Sequence, residues 1–313
     1  MDCSVVIPVY KGEATLEPLV ARLAAVLPGI TGRYEVILVN DGSPDQSWSV
    51  IESLAKRHAW VRGIELMRNF GQHNALLCGV HAACYEVIVT MDDDLQHPPE
   101  EIHRLLEKLA EGYDVVYGVP RKRPHAWWRN LGSTLANGVV SMVVGNKILR
   151  NVEAFRAFRT HLRRAFETYE GPEVILDAML GWGTTRFAMV EVDESPRIMG
   201  ASNYNMRKLI RMALLTLTNF STLPLRLASV IGFFFTLIGL VGLAYVLLIY
   251  FAEGSVPGFP FLASTIIIFG GTQMFALGII GEYLATLFER SSGRRPYTVL
   301  RTTAREGETA EYS

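Results

Sequence analysis

The chain has 313 residues, of which 50% are hydrophobic and 19% are charged, and its mean hydropathy is +0.21. This charge content is too low for a disordered chain or a coiled coil. Thirty basic residues against 31 acidic ones leave no basic excess of the kind that nucleic-acid binding requires, so we expect no nucleic-acid partner. The three cysteines show no paired spacing and predict neither a disulfide framework nor a zinc cluster.

Short apolar runs alternate with amphipathic helical patterns in the first part of the chain. Leucines and isoleucines recur at helical spacing from Leu16 to Leu27 and again from Ile102 to Leu109. This alternation predicts an α/β fold with a Rossmann-like, mostly parallel sheet that carries helices on both faces. The predicted strands cover residues 4–9, 34–39, 63–67, 86–91 and 114–118.

Polar residues follow three of these strands directly. In a parallel sheet, ligands bind outside the carboxyl ends of the strands, which makes Asp41 and the acidic run from Asp92 to Asp94 candidate site residues. Three adjacent carboxylates repel one another unless a cation offsets them, and oxygen ligands suit Mg²⁺ or Mn²⁺. A solvated loop or a helix cap is the alternative for an isolated Asp-x-Asp. The strand before this run and the polar turn after it favour a metal that bridges a diphosphate.

Several other classes of site are excluded by missing motifs. No GxGxxG follows a strand and no GxxxxGK[ST] occurs, which argues against dinucleotide dehydrogenases and P-loop enzymes. HExxH and GxSxG are absent as well. We interpret His73, His97 and His125 as turn or surface residues rather than ligands.

Two long stretches near the C-terminus predict a membrane-spanning hairpin. Residues 228–252 contain no charge, and after Glu253 the next charge-free stretch covers residues 254–281. A helix needs about 20 apolar residues to cross the hydrocarbon core, so we predict spans at about 228–252 and 259–281; two buried soluble helices are the alternative. Lys and Arg flank the outer ends and are absent from the connecting loop. The positive-inside rule therefore predicts an inner (plasma) membrane protein with cytoplasmic termini and active site.

These features divide the chain into four predicted parts. Residues 1–202 form the catalytic domain, residues 227–285 contain the two spans, and residues 286–313 form a cytoplasmic tail. The amphipathic stretch at residues 203–226 fits a helix at the lipid headgroups, with an ordinary core-packing helix as the alternative. Small residues in the second span, such as Gly278 and Gly281, permit close helix packing and hence a homo-oligomer.

Four segments in this order resemble the inverting family-2 glycosyltransferases of GT-A fold. Within that family the chain is similar to polyprenyl-phosphate glycosyltransferases such as dolichol-phosphate mannose synthase, bactoprenol glucosyltransferases and the undecaprenyl-phosphate formamido-arabinose transferase. The similarity continues through Arg197-x-x-Gly200-x-Ser202-x-Tyr204 and Gly278-x-x-Gly281-Glu282-Tyr283-Leu284, and so covers nearly the whole chain. The four segments are residues 4–10, 39–43, 68–73 and 91–99.

The resemblance implies a role for each matching position. It implies a nucleotide-sugar site that contains Pro8, Val9, Tyr10, Glu13, Asp41, Asp92 and Asp93, with Asp41 accepting a hydrogen bond from the base. It implies a Mg²⁺ or Mn²⁺ ion on Asp92, Asp94 and Gln96. It also implies that the acceptor lipid phosphate is bound by Arg121, Arg129, Ser202 and Tyr204. Asp94, Arg121 and Arg129 are the expected catalytic residues.

The chain departs from the family pattern at two places. The family commonly has an acidic residue where this chain has Gly12, with Glu13 one position later. A Ser-Gly commonly precedes Phe-Arg-Ala, where this chain has Glu153 and Ala154. The first departure affects the expected nucleotide contact and the second affects sugar or acceptor recognition.

The expected reaction is attack of a polyprenyl phosphate oxygen on the anomeric carbon of a nucleotide sugar. UDP-hexose is the favoured donor and a GDP-linked sugar is the alternative. A processive polysaccharide synthase is a rival hypothesis, although the chain lacks a QxxRW motif. A catalytically inactive membrane scaffold and a lipid carrier are further alternatives. For the basic run at residues 121–129, a solvated loop or general attraction to anionic lipid remains open.

Overall fold

The computed structural model describes residues 1–121, 154–169, 171, 174–193, 223–253, 258–291 and 295–303. The chain divides into two units. The first contains Met1–Arg211 together with Gly293–Ser313, and the second contains Met212–Ser292.

The first unit is built on an eight-stranded mixed sheet with the strand order β7-β5-β6-β4-β1-β2-β3-β8. Its centre is parallel, because β1 pairs in parallel with β2 and β4, and β2 with β3. Strand β6 lies antiparallel between β4 and β5, and β8 is antiparallel to β3. The strands are β1 (Cys3–Val9), β2 (Tyr34–Asn40), β3 (Val61–Leu66), β4 (Val87–Thr90), β5 (Val115–Pro120), β6 (Arg156–Arg159), β7 (Phe187–Val192) and β8 (Val299–Thr302).

The α/β class and the five predicted strands are confirmed, with each observed end within two residues of the prediction. Four of the seven strand pairs in the described sheet are parallel, namely β1–β2, β1–β4, β2–β3 and β5–β7. Strands β6, β7 and β8 were not predicted, and two of them supply the antiparallel pairs. The described sheet is therefore mixed, with a small majority of parallel pairs.

Helices cover both faces of this sheet, which explains why β1 is buried along its whole length. The helices are α1 (Leu16–Ile30), α2 (Ser47–Arg57), α3 (Gln72–Ala82), α4 (Ile102–Ala110) and α5 (Leu176–Gly183). Alternate residues of β1 point to opposite faces of the sheet, so that Val5 and Ile7 pack with α1, α2 and α4, whereas Val6 packs with α3 and α5. Short 3₁₀ turns form at Pro99–Glu101 and Thr160–Ala165.

Strand β8 brings the end of the chain back to the sheet. The backbone N–H of Gly63 in β3 donates to Thr303 Oγ1 at 2.8 Å. Arg301 donates from Nε to Glu65 at 2.5 Å, and its guanidinium lies 4.9 Å from the centre of the Trp48 ring. The segment that was expected to be a tail thus contains a strand that covers the edge of β3.

The second unit contains two long helices, α6 (Leu223–Glu253) and α7 (Phe259–Ser291). They pack together at Gly239, where a side chain would overlap the ring of Phe269. Among the described residues, one stretch is long and apolar enough to cross a membrane, Val230–Ile249 in α6, with a mean hydropathy of 2.4. This stretch lies inside the first predicted span. The second span and the hairpin topology remain predictions.

Candidate functional site

The candidate site lies where the carboxyl ends of β1, β2 and β4 meet. Because β1 lies between the other two strands, the loops that follow them are neighbours. Backbone contacts join the first two loops: the Asp41 N–H donates to Val9 O at 2.9 Å, and the N–H of Gly12 donates to Ser47 Oγ at 3.0 Å. Pro8 and Val9 are buried within β1, whereas Tyr10, the first residue after the strand, is 48% exposed.

Glu13 is tied to the start of α2. Its carboxylate accepts the backbone N–H of Gln46 at 3.2 Å, and its own N–H lies 3.4 Å from Asp45 Oδ2. These bonds fix the backbone that follows Tyr10. The structure therefore places Glu13 beside the site, with its carboxylate engaged by protein backbone.

Asp41 lies directly after β2, where its carboxylate is hydrogen-bonded to protein backbone. It is 2% exposed, and its two carboxylate oxygens accept the backbone N–H groups of Phe70 at 2.7 Å and Gly71 at 2.9 Å. Burial raises the pKa of Asp41, and these two hydrogen bonds oppose that rise. In this structure Asp41 holds the start of α3, and its predicted contact with a base stays a prediction.

The acidic run forms a tight turn directly after β4. Asp92 Oδ1 accepts a hydrogen bond from Gln72 Nε2 at 2.7 Å, and Asp94 Oδ1 accepts the backbone N–H of Gln96 at 3.1 Å. Asp93 Oδ2 is buried and has no hydrogen-bond partner among the described residues. The turn thus holds three carboxylates together, one of them with an unsatisfied oxygen.

The electrostatics of this turn fit a bound cation. Burial, together with the charges of Asp92 and Asp94, raises the pKa of Asp93 to about 7. Within the described ranges, no three His, Cys, Asp or Glu side chains are already arranged to hold a metal ion. Mg²⁺ usually takes only one or two carboxylates and completes its shell with water and substrate phosphates. The residues present therefore fit a metal that is shared with a diphosphate ligand.

A buried arginine lies directly beneath the acidic turn. Arg156 is 1% exposed and pairs across the sheet with Thr90, the last residue of β4. Its Nε donates to Thr90 Oγ1 at 3.0 Å, and its guanidinium forms an ion pair with Asp177, which also accepts the hydroxyl of Tyr117 at 3.0 Å. The charge of Arg156 also interacts with Asp92. Sequence reasoning noted the Phe-Arg-Ala segment but did not assign this arginine to the site.

Arg121 lies at the same edge of the sheet. Strand β5 runs in the direction of β4, because both are antiparallel to β6, and Arg121 follows the end of β5. Its N–H donates to Val192 O at 3.2 Å, and its guanidinium lies 3.6 Å from Asp193 Oδ1. The predictions for Arg129, Ser202 and Tyr204 fall outside the described residues.

His97 occupies the turn that the sequence predicts for it. It lies in the turn after the acidic run, as predicted, but it is only 5% exposed and stacks on Phe155 with ring centres 5.2 Å apart. Of the two predicted settings, a turn or the surface, His97 takes the turn. His125 lies outside the described residues.

Comparisons with known proteins agree with this geometry. Residues 4–172 match glycosyl transferase family 2. An undecaprenyl-phosphate 4-deoxy-4-formamido-L-arabinose transferase from Shewanella sediminis is 36% identical, over 95% of this chain and 91% of its own length. An uncharacterized glycosyltransferase from Synechocystis is 33% identical, over 96% of this chain and 95% of its own length.

A solved structure shows the same fold. Glucosyl-3-phosphoglycerate synthase from Mycobacterium tuberculosis, in complex with Mn²⁺, UDP and phosphoglyceric acid, matches with a TM-score of 0.51 at 18% identity, over 69% of this chain and 76% of that chain. This likeness supports the GT-A type of α/β fold. The family model matches more than half of the sequence, and the relatives align along nearly all of it. This chain is therefore a glycosyltransferase and belongs to glycosyl transferase family 2.

Proposed function

We propose that the protein transfers a sugar from a nucleotide sugar to undecaprenyl phosphate, with a divalent metal and with inversion at the anomeric carbon. Relatives that align over 95% of the chain bear the name of an undecaprenyl-phosphate sugar transferase. The apolar stretch Val230–Ile249 supports a membrane location, where such an acceptor resides. The two-span hairpin with cytoplasmic termini belongs to the same proposal.

The observation that carries the proposal is the acidic turn at the junction of three strand ends. Asp92 and Asp94, with Gln96, would hold Mg²⁺ or Mn²⁺. The buried Asp93 Oδ2, which has no hydrogen-bond partner among the described residues, supports a cation at this turn. When bound, the ion supplies Lewis acidity that stabilises the departing diphosphate. Pro8, Val9, Tyr10, Glu13 and Asp41 would form the wall of the nucleotide site on the β1 and β2 side.

The remaining task of the protein is to bring two anions together. A phosphate monoester is largely ionised at neutral pH, since its second pKa is about 6, so the nucleophile needs little help from a general base. A guanidinium binds phosphate through two parallel N–H groups. Arg121, at the same edge as the acidic turn, and Arg129 would bind the lipid phosphate, with Ser202 and Tyr204 as further contacts. Arg121 would exchange its 3.6 Å pair with Asp193 for the acceptor.

Direct attack of the lipid phosphate on the anomeric carbon predicts inversion. The phosphate oxygen enters on the face opposite the diphosphate, so the new bond has the opposite configuration. A single displacement needs no nucleophile from the protein.

Two sugar donors are candidates for this reaction. The sequence favours a UDP-hexose, whereas the names of the relatives favour a 4-deoxy-4-formamido-L-arabinose donor. The two sugars differ at carbon 4, where a hydroxyl and a formamide make different hydrogen bonds, and at carbon 5, where a hexose carries a hydroxymethyl group that a pentose lacks. The choice is therefore a matter of the sugar pocket and leaves the metal chemistry unchanged.

The test uses membranes from cells that express the full chain. They are given undecaprenyl phosphate, Mg²⁺ or Mn²⁺, and in turn radiolabelled UDP-glucose, GDP-mannose and the UDP-linked formamido-arabinose. We expect label in the organic phase with one donor, and no label when EDTA is added or when Asp94→Asn replaces the native chain. The control variant Asp2→Asn alters an exposed ion pair with Arg33 at the opposite end of β1 and should keep the activity. No transfer from any donor, or full transfer by Asp94→Asn, would contradict the proposal, and NMR of the product tests inversion.

A further inference from the structure

The segment that joins β3 to α3 connects the two acidic parts of the site. It approaches β2 closely at Gly42, whose φ is +60°, because a Cβ there would lie 2.5 Å from Arg68 C and 2.6 Å from Asn69 N. Only glycine accommodates both this backbone conformation and this contact. The segment therefore passes directly over the loop that carries Asp41.

The same segment is anchored by the buried carboxylate of Asp41. Both carboxylate oxygens accept its backbone N–H groups, those of Phe70 and Gly71. Asn74 Nδ2 donates to Phe70 O at 2.8 Å and closes the first turn of α3 onto the segment. A negative charge at the start of a helix is also favourable for the helix dipole. The first residue of α3, Gln72, therefore starts from a fixed backbone.

Gln72 extends this anchoring to the acidic turn. Its amide Nε2 donates to Asp92 Oδ1 at 2.7 Å. A carboxylate has about four lone-pair positions on its two oxygens, so one bond from an amide fixes the orientation of Asp92 and leaves lone pairs for a metal. Residues 70–72, the bridging segment, thus hold Asp41 at one end and Asp92 at the other.

The geometry points to Gln72 as a positioning residue that orients Asp92 toward the divalent ion. Through the bridging segment it also joins the nucleotide side of the site to the metal side. This inference rests on the proposed function, since it concerns the metal of that same site. Partners that orient a metal ligand typically change metal affinity by about 10–100-fold when they are removed. Gln72 is exposed, so we expect the lower end of that range.

The test compares Gln72→Met, which keeps the length of the side chain and removes the amide, with the native chain. Gln46→Met is the matched control: Gln46 lies directly before α2 at this edge of the sheet, and its side chain accepts a hydrogen bond from Ser49 instead of donating one to an aspartate. Binding of Mn²⁺ in the presence of UDP is measured on the full chain in detergent by the electron paramagnetic resonance signal of free Mn²⁺. Binding of UDP alone is measured in EDTA by calorimetry.

We expect Gln72→Met to weaken Mn²⁺ binding about 10-fold and to leave metal-free UDP binding and the thermal unfolding midpoint unchanged. Gln46→Met should match the native chain in all three measurements. Equal Mn²⁺ affinity in Gln72→Met and the native chain would overturn the inference and leave the proposed function standing. A loss of metal-free UDP binding in Gln72→Met as large as its loss of Mn²⁺ binding would also overturn the inference, because it would show that Gln72 has a general structural role. No Mn²⁺ binding by the native chain would overturn both.

Discussion

Replacement of Gly12 by alanine is expected to displace the carboxylate of Asp93. A Cβ at position 12 would overlap Asp93 Oδ2 and would lie 3.0 Å from Val9 Cγ1. Overfilling a packed site costs about 1–3 kcal/mol, and we expect about 1–2 kcal/mol because Asp93 Oδ2 is the end of a side chain that can rotate. For a chain of this size, each kcal/mol lowers the unfolding midpoint by about 2–4 °C.

The decisive measurement is a double-mutant cycle, in detergent with EDTA at one neutral pH. In the Asp93→Ala background the overlap with the carboxylate is gone, and only the 3.0 Å contact with Val9 remains. Gly12→Ala should then cost less than about 0.5 kcal/mol, which leaves a coupling energy of about 1 kcal/mol between the two positions. As a control, Gly12→Ala combined with Asp2→Asn should be additive within about 0.3–0.5 kcal/mol.

A cost of Gly12→Ala that is the same with and without the Asp93 side chain would refute the reasoning. A positive result would give a physical reason for the departure at position 12. The family commonly places an acidic side chain there. In this chain the same space contains the carboxylate of Asp93, which reaches it from the acidic turn.

Three further predictions concern stability. In EDTA, the native chain should lose stability as the pH rises from about 4 to 7, since the pKa of Asp93 is raised from 3.8 to about 7 in the folded state. The unfolding midpoint of Asp93→Asn should lack this pH dependence. Parallel pH profiles of the midpoint in the two chains would contradict the prediction. Asp114→Asn should cost about 1–2 kcal/mol at neutral pH, because the buried side chain loses its charge and one of its two hydrogen bonds from Arg186. Arg186 lowers the pKa of Asp114 in the folded state. The cost of Asp114→Asn should therefore shrink as the pH falls below the ordinary Asp pKa of about 3.9 and vanish below the lowered pKa of the folded state. A cost that persists in acid would contradict this prediction. Arg301→Ala should speed proteolysis of the C-terminal segment by removing the pair with Glu65, and an unchanged cleavage rate would show that β8 is held by other contacts.

The sequence predicts the centre of the fold well for a physical reason. Strands covered on both faces must be apolar along their whole length, so β1, β2 and β4 stand out as apolar runs. Strand β6 is not predicted from the sequence, because it has only four residues and an arginine at each end. Strand β8 escapes because its partner β3 lies more than 230 residues earlier in the chain, as the contact between Arg301 and Glu65 shows.

In the candidate site, too, some features can be predicted from the sequence and others cannot. The acidic turn is visible in the sequence because its three carboxylates are adjacent. The anchoring of Asp41 is not visible, because its partners are backbone N–H groups of Phe70 and Gly71, which every residue except proline possesses. The contact of Gln72 with Asp92 likewise joins two segments 20 residues apart, and nothing in the residue types alone pairs them.

The return of β8 to the sheet has a consequence for how the protein is made. The ribosome delivers both long helices before it delivers Val299–Thr302, so the edge of β3 stays uncovered until the apolar helices have already emerged. An open strand edge is a template for pairing with other chains. If those helices insert into lipid early, as the proposed membrane location implies, nascent chains stay apart during this interval. A version shortened ahead of α6 would be released into solution with that edge permanently bare, and we would expect it to self-associate.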